Sequence, residues 1–96
     1  MKRSLKIIVS GNVQHHELQE KIQLNATKLR LEGTSEYLDK DKLLIFVAGE
    51  SEQLDSLIDV IYEGTPKSSI EDVDVDSNTS PKSFRGVFRI ISNDNE

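Results

Sequence analysis

The chain has 96 residues, with 12 Lys or Arg against 17 Asp or Glu, a formal charge of −5, and 35% hydrophobic residues. That length suits one domain over residues 1–96, with a modest core over about 5–91, and excludes two. The absence of cysteine excludes disulfides, thiolate metal sites and thiol nucleophiles, and the acidic balance opposes nucleic-acid and anionic-membrane partners, which require clustered cations.

Leu5, Ile7 and Val9 fall on one face at period 2, and Ser10-Gly11-Asn12 ends the run as a turn, which predicts a first strand. From Glu17 to Leu31 the apolar positions Leu18, Ile22, Ala26 and Leu29 form one stripe, and Gly33 lies just beyond, which predicts an amphipathic helix. Thr34 to Leu38, the charged turn Asp39 to Lys42, and Leu43 to Ala48 read as a hairpin. Its second strand is continuously apolar and therefore central, buried on both faces. Leu54, Leu57, Ile58 and Ile61 predict a second amphipathic helix capped by Ser51 and ended by Gly64-Thr65-Pro66. Ile70, Val73 and Val75 mark a largely polar strand and Asn78 to Pro81 a turn. Phe84, Gly86, Phe88 and Ile90 alternate on a last strand.

The order is β-α-β-β-α-β with one further C-terminal strand. It predicts an α+β, ferredoxin-like βαββαβ sandwich, an antiparallel sheet carrying both helices on one face. Many unrelated activities share that fold, so function has to come from particular residues. The polar ends, Met1 to Ser4 and Ser92 to Glu96, are expected to fray. The longest apolar run, Leu43 to Ala48, is far short of the roughly 20 residues that span a bilayer. Met1-Lys2-Arg3 leads only into Leu5 to Val9, so a cytoplasmic protein without a cleaved leader is expected.

Val9-x-Gly11-x-Val13-Gln14, Ala26-x-x-Leu29-x-Leu31-x-Gly33, Gly49, and Gly64-x-Pro66 with Ile70 and Val73 downstream together resemble the acylphosphatases. The pattern of that family reads V-x-G-x-V-Q-G-V-x-F-R, then A-x-x-L-x-L-x-G-x-V-x-N. The resemblance runs from about Leu5 to Ile90 and implies hydrolysis of an acyl phosphate to carboxylate and phosphate, with no metal or cofactor. It implies further that the loop amides of Gly11, Asn12, Val13, Gln14, His15 and His16 hold phosphate. An arginine at the start of the first helix would help them, and an asparagine on the second strand would orient the attacking water. Phosphoryl transfer needs little covalent help, so positioning and charge stabilisation carry such a site.

The chain departs from the pattern at both side chains. The arginine position is Gln19 and the asparagine position Tyr37, while His15, His16 and Leu18 replace the loop glycine, the following valine and the aromatic. Gln19 brings neither charge nor a guanidinium fork. Tyr37 offers a phenol on a rigid ring in place of a short amide. Lys21, two residues on, points roughly 200° round the helix from Gln19 and offers no rescue. Arg3, Arg30, Arg85 and Arg89 lie on other elements.

Other clusters have plainer explanations. Adjacent His15 and His16 diverge at a helix start and suit solvated loop residues, ahead of anion or pH sensing, with metal binding last. Glu71 to Asp76 alternates with Val73 and Val75 as a strand with one solvated face does, and lacks a calcium loop. Phe84 to Ile90 faintly resembles an RNA-binding aromatic strand, but in an acidic chain with few aromatics. Asn25-Ala26-Thr27, a sequon in form, falls inside the first helix.

The expectation is a monomeric acylphosphatase-like pseudoenzyme that keeps at most weak anion or acyl phosphate binding and serves as an interaction module. The alternative is an active acylphosphatase with a non-standard site, assisted by protonated His15 or His16. A protein partner could also meet the open sheet face or the edge strand near Val73 to Asp76, although the acidic side chains there oppose edge pairing.

Overall fold

The computed structural model describes residues 2–14, 16–77 and 84–91. In chain order the elements are β1 (Lys2–Asn12), α1 (His16–Lys28), β2 (Glu32–Asp39), β3 (Lys42–Glu50), α2 (Ser51–Glu63), β4 (Ser69–Asp76) and β5 (Phe88–Ile90). The sheet order is β4-β1-β3-β2-β5. β1 runs antiparallel to β3 and β4, and β2 antiparallel to β3, which reproduces the expected antiparallel βαββαβ frame. β5 joins the β2 edge in parallel, so the five-stranded sheet is mixed.

The continuous apolar run lies on β3, the middle strand, for the reason its composition implies. Leu43, Ile45 and Val47 point into the core under the helices, and Leu44 and Ala48 are buried on the other face. Across the sheet, Leu5, Ile7 and Val9 of β1 meet Val47, Ile45 and Leu43 in register. Leu18, Ile22 and Ala26 of α1 and Leu54, Leu57 and Ile61 of α2 close the core from one side. Leu29 packs only partly against it, because α1 ends one residue earlier.

Several local expectations change. Gly33 does not terminate α1. Arg30 takes the left-handed conformation (φ 61°), and Leu31 N–H donates to the Ala26 carbonyl at 2.9 Å, closing the helix five residues back. Gly33 is instead an inner residue of β2. Ser51 is the first residue of α2 rather than its cap. Glu50 holds the cap position in an extended conformation without a side-chain capping bond. The last strand is confined to Phe88–Ile90, since Arg85 (φ 59°) and Gly86 (φ 76°) form a left-handed turn that breaks the alternation. Glu32 Oε1 accepts from Gly86 N–H at 2.8 Å and ties that turn to β2. Lys2 to Ser4, expected to fray, and Ser10 to Asn12, expected as a turn, are paired residues of β1, held by β3 and β4. The turn expected at Asn78 to Pro81, and the ends Met1 and Ser92 to Glu96, expected to fray, lie outside the described residues.

Candidate functional site

Antiparallel pairing of β1 with β3 sets Ser10 opposite Lys42, so the chain leaving β1 arrives beside the β2–β3 hairpin. Gly11 N–H donates to the Asp41 carbonyl at 3.1 Å, which fastens the two together. Beyond that point a shallow depression of about 430 Å³ opens, lined by Gln14, Tyr37, Leu38, Asp39 and Lys40. Gln14 and Tyr37, 23 residues apart in sequence, are thus brought to one place.

The other loop positions have separate fates. Gly11 and Asn12 belong to β1 and pair with Ile70 and Ser69 of β4 across an irregularity after Ser10. The Asn12 amide donates to the Lys67 carbonyl at 3.3 Å. Val13 is fully buried and anchors the turn into α1, and His16 is the exposed first residue of that helix. His15 lies outside the described residues. A helix start favours anions, but the carboxylate of Glu17 already sits in the first turn of α1, with Lys67 Nζ 3.8 Å from it.

Gln19 does not face the depression. It is only 2% exposed, and its Nε2 donates to Ser35 Oγ at 3.2 Å and to the Ser35 carbonyl at 3.4 Å. Ser35, two residues before Tyr37 on β2, is itself fully buried. A buried amide without a partner is costly, so this bond fixes the Gln19 head inside the core. Lys21 is turned away as expected, with its ammonium donating to the Gly64 carbonyl at 2.8 Å and to Glu63 Oε1 at 3.0 Å. None of the four arginines lines the depression, and Arg3 lines a groove between β1, β4 and α2 instead.

Sequence reasoning missed Ser35. A signal was available, since the valine of the family pattern falls on this residue, so positions 19 and 35 depart from it together. Lys40, at the hairpin tip, is the cation that the fold places at the depression. Among the described residues no group of three or more His, Asp or Glu stands in position to hold a metal ion, and no helix is long and apolar enough to cross a membrane.

Burial pushes the Tyr37 pKa above the ordinary 10.0, because a phenolate there would lose hydration. The folded chain therefore keeps this proton longer than the unfolded chain. The resulting stability is fully present below about pH 10 and is lost as pH rises through the folded value. Tyr62 is the other tyrosine. In a Tyr62→Phe variant the phenolate absorbance transition should lie above pH 10 in buffer and return to about 10 in denaturant. Coincident curves would contradict the burial of Tyr37.

Comparison with known proteins bears on this arrangement. The family model described as Acylphosphatase matches residues 5–90. A curated acylphosphatase from Bacillus subtilis (strain 168) is 30% identical over 84 residues, or 88% of this chain and 89% of the relative. The crystal structure of acylphosphatase from Bacillus subtilis superposes with a TM-score of 0.85 at 27% identity, covering 95% of this chain and 99% of that one. An acylphosphatase structure from Coxiella burnetii superposes at 0.83 with 22% identity over 94% of this chain and 93% of that one, a likeness of fold.

Proposed function

The chain belongs to the acylphosphatase family, and from that premise we propose that it is a catalytically silent or severely impaired member serving as a binding or interaction module. The observation that carries this reading is the position of Gln19. The residue in the arginine position is uncharged, buried, and hydrogen-bonded to Ser35 inside the core rather than directed at the loop. A second loss reinforces it, since the half-buried ring of Tyr37 stands where the family pattern has the water-orienting asparagine.

Acyl phosphate hydrolysis needs charge placed against the phosphoryl oxygens and a water held in line. Among the described residues the cation that lines the depression is Lys40, on an exposed hairpin tip, where a flexible ammonium cannot reproduce a guanidinium fork. Removing a single preorganised donor from such a site costs about 10²- to 10³-fold in rate. What the depression retains is the capacity to hold a small anion weakly through Lys40 and the Gln14 amide.

Benzoyl phosphate hydrolysis by the purified chain, beside a buffer blank and an active acylphosphatase, tests the reading. The expected rate is at the blank or at least about a thousandfold below the active enzyme. A rate within about a hundredfold of that enzyme would overturn the proposal. It would establish the alternative, an active enzyme with a non-standard site.

A further inference from the structure

We propose that the open edge of β4 is a docking site for an extended basic segment of another protein, which adds to the sheet as a sixth strand. The inference does not depend on whether the depression near Tyr37 hydrolyses anything.

The sheet order leaves β4 and β5 at its two edges. β5 has 3 residues, too few to hold a partner strand, whereas β4 has 8. β4 uses one side of its backbone on β1, from Lys6 opposite Asp76 to Asn12 opposite Ser69. Among the described residues no strand pairs with its other side. An unpaired row of N–H and C=O groups is the template on which strand addition works.

The side chains of β4 divide by face. Val73 and Val75 stand opposite Val9 and Ile7, on the helix side. Val73 packs partly against the core, but Val75 remains 40% exposed. It borders a groove of about 260 Å³ whose apolar wall includes Leu5, Leu54 and Ile58. α2 therefore leaves the end of the edge strand uncovered. A sixth strand would lay an apolar side chain beside Val75 along that groove.

On the opposite face stand Asp72, Asp74 and Asp76. In register across β1, Asp76 meets Lys6, but Asp72 meets Ser10 and Asp74 meets Ile8, neither of them a cation. This pattern selects the occupant. A second copy of the chain is excluded, because pairing β4 with itself in either direction sets aspartates opposite aspartates, or in a slipped register opposes the charged face to the apolar one. A strand with Lys or Arg at alternate positions and apolar residues between them satisfies both faces at once. The acidic guard that blocks self-pairing thus attracts a basic strand.

The probe is a seven-residue synthetic peptide alternating valine and lysine, labelled for fluorescence anisotropy, with a valine–glutamate peptide as control. The lysine peptide should bind at least about tenfold more tightly than the glutamate peptide and weaken as salt rises. Asp72→Asn with Asp74→Asn, both at exposed positions, should weaken it about tenfold while circular dichroism stays unchanged. Hydrogen exchange should show new protection at β4 amides when the peptide is bound. Four results would overturn the proposal: no binding, equal binding of both peptides, an unaffected double variant, or binding without new protection of β4. Dimerisation of the free chain through β4 in sedimentation would overturn the exclusion of a second copy.

Discussion

A chain carrying Gln19→Arg, Ser35→Val and Tyr37→Asn is expected to hydrolyse benzoyl phosphate at least about a hundredfold faster than the unaltered protein, and faster than Gln19→Arg with Tyr37→Asn alone. The reason lies in the buried pair of Gln19 and Ser35. Ser35 Oγ accepts from Gln19 Nε2 at 3.2 Å, and the Ser35 carbonyl lies 3.4 Å from the same nitrogen. An arginine at position 19 carries five donors and would be captured by the same two oxygens. Replacing the hydroxyl by a valine methyl removes one acceptor and lets the guanidinium reach outward, where its charge is hydrated or paired with phosphate instead of buried. Asparagine at position 37 removes the ring and restores a short amide at the strand position that the family pattern requires. Because residues that act as a unit are not additive, the single variants should gain little. Thermal unfolding run in parallel separates a silent site from an unfolded one. A folded triple variant with no gain would mean that the backbone loop itself is incompetent.

Gly33→Ala should lower stability by about 3 kcal/mol or more, which in a chain of this size is a fall in melting temperature of about 12 to 24 °C. Gly33 lies in β2 against the central strand, and a Cβ built there would strike the Phe46 carbonyl oxygen and approach the Phe46 carbonyl carbon and Val47 Cα at 2.9 Å. All three are backbone atoms of β3, so no side chain can swing aside to relieve the clash. The same residue also ties in the last strand, since Gly33 N–H donates to the Val87 carbonyl at 2.9 Å and Gly33 stands in register with buried Phe88. Gly86→Ala provides the contrast. Its Cβ would meet nothing within 4 Å, and only the left-handed φ of 76° opposes it, at a cost of about 1 kcal/mol. Equal losses for the two variants in chemical denaturation would refute the packing argument.

The parts of the fold that could be read in advance are those governed by local periodicity. The stripe of Leu18, Ile22 and Ala26 and the alternation of Leu5, Ile7 and Val9 each bury one face. The run from Leu43 to Ala48, apolar on both faces, belongs in the middle of a sheet, and it is there. Element ends were less legible. Arg30 in a left-handed turn and the left-handed pair Arg85 and Gly86 are set by hydrogen bonds to Ala26 and to Glu32, the latter 54 residues away from Gly86. No local pattern reports a partner at such distance.

For the site, the identities of the side chains at the two motif positions were legible without coordinates. Reading the family motif against the chain puts Gln19 and Tyr37 where a charge and a short amide belong, and side-chain identity needs no coordinates. Where those side chains point and what they bond to depends on contacts between distant elements. Gln19 turns inward because an amide held in the core must find a partner, and the fold brings Ser35 of β2 within 3.2 Å of it. Tyr37, Gln14 and Lys40 share one depression because β1 and the β2–β3 hairpin meet at the same end of the sheet, a meeting fixed by strand register rather than by spacing along the chain.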